Sequence, residues 1–131
     1  MATFVLDGGL DITTNRVKGS GTEPVNVGWG VSAGTTARND TTLFGERLVD
    51  LSTAAGTDHT AGTSTRQTTN TTNDTYQVVA TRTATGAGSV TNAGLFDAAS
   101  GGNLFLKGDF TSIGLASGDS IQFTIKAIYD N

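Results

Sequence analysis

The stretch Asp119-Ser120-Ile121-Gln122-Phe123-Thr124-Ile125-Lys126-Ala127-Ile128-Tyr129 decides the fold class. Ile121, Phe123, Ile125, Ala127 and Tyr129 take every second position, and Ser120, Gln122, Thr124, Lys126 and Ile128 fill the places between. Side chains of a strand alternate between the two faces of a sheet, so a period of two predicts a strand with the first set buried. A strand this apolar is expected to pair inside a sheet, because an exposed edge invites aggregation.

Working outward, residues 75–85 give a second long strand, with Tyr76, Val78, Ala80 and Arg82 alternating with Gln77, Val79, Thr81 and Thr83. Shorter candidates are residues 4–6, 25–31, 62–69, 90–96 and 103–108. Turn signals fall between them at Asp7-Gly8-Gly9, Ala33-Gly34, Gly86-Ala87-Gly88, Ser100-Gly101-Gly102 and Ser117-Gly118-Asp119. Short strands with Gly-rich turns at intervals of about 8–12 residues predict an all-β, antiparallel β-sandwich, jelly-roll-like, with an extended N-terminal segment. Helical periodicity is nearly absent. The one helix candidate is residues 42–51, where Leu43, Phe44, Arg47, Leu48 and Leu51 fit one face, although Gly45 costs about 1 kcal/mol there. An extended reading of residues 47–52 competes with it. Residues 56–74 are nearly all Thr, Ser, Gly, Asn and Asp, and read as a polar edge strand or as an arm that orders against a neighbour. The same two readings apply to residues 11–23. The chain therefore divides into an N-terminal arm or edge segment, 1–24, and a single sandwich domain, 25–131.

Composition excludes several functions. With 131 residues the chain suits one domain. Only 36% is hydrophobic and 15% charged, so part of the core is expected to come from neighbouring subunits. A net charge of -4 makes a poor binder of duplex nucleic acid, which is held by released phosphate counterions. The absence of Cys excludes disulfides and thiolate metal sites and suits assembly in a reducing cytoplasm. No signal peptide and no run long enough to span a bilayer is visible, so no membrane partner is expected.

Candidate chemistry is thin. Gly118-Asp119-Ser120-Ile121 is similar to the GDS box of a hydrolase family, but the one His, His59, lies far upstream of it. A Ser nucleophile needs a positioned base, so the box reads as a turn. His59, in a Thr-rich segment, reads as a solvated surface residue, because a metal site needs three or four ligands. Asp97, Asp109 and Asp119 could hold calcium if their turns converge. Gly86-Ala87-Gly88 lacks the further Gly and helix of a phosphate loop. The glycosylation-like triplets at Asn39, Asn70 and Asn73 read as coincidence without a secretory signal. Trp29, between Gly28 and Gly30, reads as a core or subunit-interface aromatic, and a cleft formed with Tyr76 would instead favour a carbohydrate-binding module. No catalytic, cofactor-binding or metal-ligating residue is expected.

Two blocks carry a resemblance. The first is Val27-Gly28-Trp29-Gly30, then Gly34-Thr35-Thr36-Ala37 and Asp40-Thr41-Thr42-Leu43. The second is Asp74-Thr75-Tyr76-Gln77-Val78-Val79, then Val90-Thr91-Asn92-Ala93-Gly94-Leu95-Phe96-Asp97, Gly101-Gly102-Asn103-Leu104 and Gly118-Asp119-Ser120-Ile121. Together they resemble small structural proteins of tailed bacteriophages over residues 25–129. Asn92 departs from the pattern, standing where such proteins often carry an acid. The resemblance implies a non-enzymatic virion protein assembled in the host cytoplasm. The first expectation is a capsid decoration (cement) protein, a homotrimer seated on the major capsid protein or another virion protein; a tail, fibre or neck component is the alternative. The expected capsid or subunit interface is Phe4, Val5, Leu6, Leu10, Ile12, Trp29 and Arg66, with residues 2–17 facing the shell, where an arm can add a strand to an open edge.

Overall fold

The computed structural model describes residues 3–53 and 55–129. Among the described residues, nine strands and one helix follow in the order β1 (Thr3–Val5), α1 (Asp7–Lys18), β2 (Asn26–Gly30), β3 (Glu46–Arg47), β4 (Thr60–Ala61), β5 (Thr63–Gln67), β6 (Thr75–Thr83), β7 (Gly88–Phe96), β8 (Leu104–Leu115) and β9 (Ser120–Ile128). One sheet runs β1-β8-β7-β2-β3, with β4 also paired to β2, and the other runs β5-β6-β9. All named strand pairs are antiparallel. Apolar side chains of both sheets meet in one core: Val27, Trp29, Leu95 and Phe105 from the larger, Val78, Ala80, Phe123 and Ala127 from the smaller. The all-β antiparallel sandwich read from the sequence is the fold the chain adopts.

The N-terminal segment differs from its extended reading. Residues 7–18 form α1, and the Asp7-Gly8-Gly9 turn signal is its first turn. The helix lies directly on β8: a Cβ on Gly9 would collide with the Phe105 carbonyl oxygen, so only glycine permits this approach. Ile12 faces the core at 5% exposure. At the far end, Gly19 takes φ 92, its N–H donates to Arg16 O, and the Ser20 N–H donates to Asn15 O. That is a left-handed C-cap, a conformation that carries no Cβ penalty in glycine. Gly8, Gly9, Thr13, Thr14 and Asn15 are weak helix formers, so packing rather than propensity holds α1 in place.

Residues 42–51 form no helix. Gly45 sits at φ 58, the Phe44 N–H donates to the Asn92 side chain, and the Phe44 C=O accepts from Asn92 and from the Ser32 N–H, which leaves neither for a helical ladder. Leu43 and Leu51 are buried separately, in the two different apolar clusters. In the polar segment, β5 is an edge strand with mostly exposed side chains, the first of the two readings. The loop that follows is closed by Asp74, whose carboxylate accepts from the N–H groups of Thr69, Asn70 and Thr71. Those donors, Thr71 first, hold its carboxyl well below the usual carboxylate range.

β9 forms over Ser120–Ile128 with the expected alternation, Phe123 and Ala127 buried and Ile121 and Ile125 half-buried, while Tyr129 is exposed. It is, however, an edge strand, paired with β6 alone. A tight turn, in which Gly118 adopts φ 94 and the Asp119 carboxylate accepts from the Ala116 N–H, passes the chain from β8 in one sheet to β9 in the other. Alternation reports which face of a strand is buried; here sheet-on-sheet packing buries it, without a second neighbouring strand.

Candidate functional site

Ser120 and His59 have separate partners. Ser120 Oγ lies 2.6 Å from Thr83 Oγ1 across the strand pair. His59 is buried, not solvated: Nδ1 lies 2.8 Å from Ala98 O, Nε2 lies 2.8 Å from Glu46 Oε2, and the ring stacks on Phe96 at 3.8 Å. Gly28 leaves the space for that ring, since a Cβ there would come 2.7 Å from His59 Cδ2. Asp97, Asp109 and Asp119 do not converge. They accept from the N–H groups of Asn103, Thr36 and Ala116 at three separate places, Asp97 and Asp119 in turns and Asp109 on β8. Among the described residues there is no group of three or more His, Cys, Asp or Glu that could hold a metal ion.

The most developed polar cluster binds the two sheets together. Arg82 on β6 is 1% exposed and its guanidinium lies 4.8 Å from the centre of the Trp29 ring. Nη1 donates to Thr60 Oγ1 (2.9 Å), and Nη2 donates to Asp58 Oδ1 (2.7 Å) and to the carbonyls of Asp58 (3.0 Å) and Arg47 (3.3 Å). Trp29 Nε1–H in turn donates to Leu48 O at 2.9 Å. Trp29 is fully buried, so it shares no cleft with Tyr76. The signal for Arg82 was its phase: it continues the inward-facing set of half-buried Tyr76 and buried Val78 and Ala80 along β6.

A second cluster surrounds Lys107, fully buried on β8, whose Nζ donates to Asp40 Oδ2 (2.9 Å) and Thr42 O (2.8 Å) and lies 3.2 Å from the Phe44 ring centre. The Ala37 N–H, and then the Lys107 ammonium, hold the Asp40 carboxyl below its ordinary value. Nothing in the sequence marked this lysine. Asn92, buried on β7, completes the region by accepting from Phe44 N–H and donating to Phe44 O, both at 3.0 Å. A carboxylate cannot make the second bond. Asn92→Asp loses that bond and puts an acid at a fully buried position, although Phe44 O keeps the Ser32 N–H at 3.1 Å, so it is expected to cost about 1–3 kcal/mol, read as a lower urea midpoint at unchanged slope.

Of the expected interface residues, the Phe4 side chain lies outside the described residues. Val5 is half-buried against β8. Leu6, Ile12 and Trp29 are buried within the chain and offer no surface to a neighbour, whereas Leu10 and Arg66 are exposed, Leu10 on α1 and Arg66 on β5. The helix also walls a groove of about 490 Å³ whose lining includes Ile12, Arg16, Val17, Tyr76, Phe105 and Tyr129. Tyr76 OH donates there to Pro24 O at 3.0 Å, and burial followed by the Glu23 carboxylate pushes that hydroxyl above its usual range.

The arrangement is thus a sandwich stapled by internal ion pairs, without an assembled catalytic group among the described residues. A family model described as podophage GP4 fiber I protein gp80 matches residues 13–129. The chain belongs to this family. No curated protein and no solved structure matches it. The gp80 match starts within α1 and ends just past β9, so it takes in β2 to β9 and the residues around Arg82, Lys107 and His59. Membership makes the chain a structural protein of a tailed-phage virion, as the resemblance implied. It favours the fibre alternative over capsid decoration.

Proposed function

We propose that this protein is a non-enzymatic building block of a podophage fibre, assembled in the host cytoplasm and joined in the virion to other structural proteins. The family match over residues 13–129 carries this reading. The interior supports it: Arg82, Lys107 and His59, the groups best suited to chemistry, are each committed to bonds that fasten one part of the sandwich to another. A subunit of this kind works mechanically, with many modest contacts adding up along an assembly. Gold-labelled antibody against the chain, imaged on intact particles by electron microscopy, is expected to mark the fibres. Label spread over the capsid faces would overturn the fibre reading and restore decoration.

A further inference from the structure

The outer edge of β9 is a free, regular pairing surface, and we infer that it pairs with β9 of a second copy. This inference stands on strand geometry and is independent of the fibre reading. β9 pairs with β6 in an unbroken register from Thr75↔Ile128 to Thr83↔Ser120. Just beyond its two ends, the Ala84 N–H donates to Asp119 O and the Tyr129 N–H to Asp74 O. Hydrogen-bonded pairs alternate along an antiparallel ladder, so the odd-numbered residues of β9 bond to β6. Ser120, Gln122, Thr124, Lys126 and Ile128 therefore turn their N–H and C=O groups outward. Among the described residues no backbone or side-chain group pairs with them there.

Other edges carry the usual protection. β1, β3 and β4 are two or three residues long, and β5 is short and mostly polar. The part of β8 beyond its pairing with β1 begins beside a register shift against β7. β9 has nine residues, no proline, no bulge and a single charge, Lys126. Beside it, a cavity of about 190 Å³ between β8 and β9 is lined by Phe123 and the half-buried Phe110 and Ile125, an apolar opening that an added strand covers.

The strand complements itself in one register. A twofold axis through Thr124 places Gln122 opposite Lys126 of the second copy and Ser120 opposite Ile128, so no like charges meet and all five outward residues find partners. On the inner face, Phe123 meets Ile125 and Ile121 meets Ala127, extending the apolar layer across the junction and covering the half-buried Ile121 and Ile125. An axis through Lys126 would set that ammonium against itself. The two smaller sheets become one continuous sheet, closed at two copies by symmetry.

Because the chain has no Cys, disulfide trapping reads this register directly. In the Thr124→Cys variant the two Cα atoms lie about 5.5 Å apart, within disulfide reach. In Gln122→Cys they are offset by about 13 Å along the strands. Mild oxidation is expected to give a covalent dimer for Thr124→Cys and monomer for Gln122→Cys. Sedimentation of the unaltered protein at micromolar concentration should show a dimer. Gln122→Lys should weaken it roughly tenfold at low salt, and Gln122→Glu should tighten it. Circular dichroism confirms that each variant stays folded. A monomer at every concentration, or equal trapping of the two cysteine variants, would overturn the inference. Trapping of Gln122→Cys alone would equally do so.

Discussion

Trp29→Ala is expected to lower stability by about 3–5 kcal/mol and the thermal midpoint by roughly 10–20 °C. Trp29 is fully buried in the core shared by both sheets. Truncation removes its ring from between the sheets, where a sandwich of this size has little spare apolar area to close the gap. It also orphans the Leu48 carbonyl, which loses the indole N–H, and takes away the aromatic face beneath Arg82. Trp29→Phe keeps most of the packing and loses the hydrogen bond, so it should fall about 1–2 kcal/mol below the unaltered protein. Equilibrium urea unfolding separates the two, and a loss under 1 kcal/mol for Trp29→Ala would show that the ring does not hold the core.

Arg82→Ala is expected to cost about 3 kcal/mol, the low end for breaking a buried ion pair, because the partner is not fully buried. The Asp58 side chain is 44% exposed and can recover water, whereas the carbonyls of Arg47 and Asp58 and the Thr60 hydroxyl lose a donor. Arg82→Met tests how the effect divides, since it retains apolar contact over Trp29 and removes every donor. A loss smaller than that of Arg82→Ala assigns the difference to packing. A Met variant as stable as the unaltered protein would show that the polar cluster gains nothing over an apolar filling, an outcome known for other buried pairs. The urea slope should stay constant across the series, because the surface exposed on unfolding hardly changes.

Both predictions concern residues that the sequence marked in different ways. Trp29 read as a core or subunit-interface aromatic with glycines on both sides to allow close approach, and Gly28 does admit a close neighbour, the His59 ring. Arg82 stood in phase with the apolar positions of its strand, and that phase places it in the core despite its charge. Lys107 and Asn92 carried no such mark, because their partners, Asp40 and Phe44, come from a loop whose path no local pattern sets. His59 looked solvated because its neighbours in sequence are polar, yet the residues that bury it, Phe96 and Glu46, are remote in the chain.

The sequence by itself determined the strand content, the antiparallel sandwich and the tailed-phage resemblance. These depend on short-range regularities: a period of two, glycines at the turns, and motif blocks that survive without reference to shape. Only the tertiary structure decided that residues 7–18 coil into a helix against β8, that β9 lies at an edge, and that the Lys107 and His59 side chains are buried. Each of those outcomes depends on which distant segment arrives alongside. Period and propensity describe a segment's faces, and the free energy that selects its neighbours comes from contacts the local pattern does not contain.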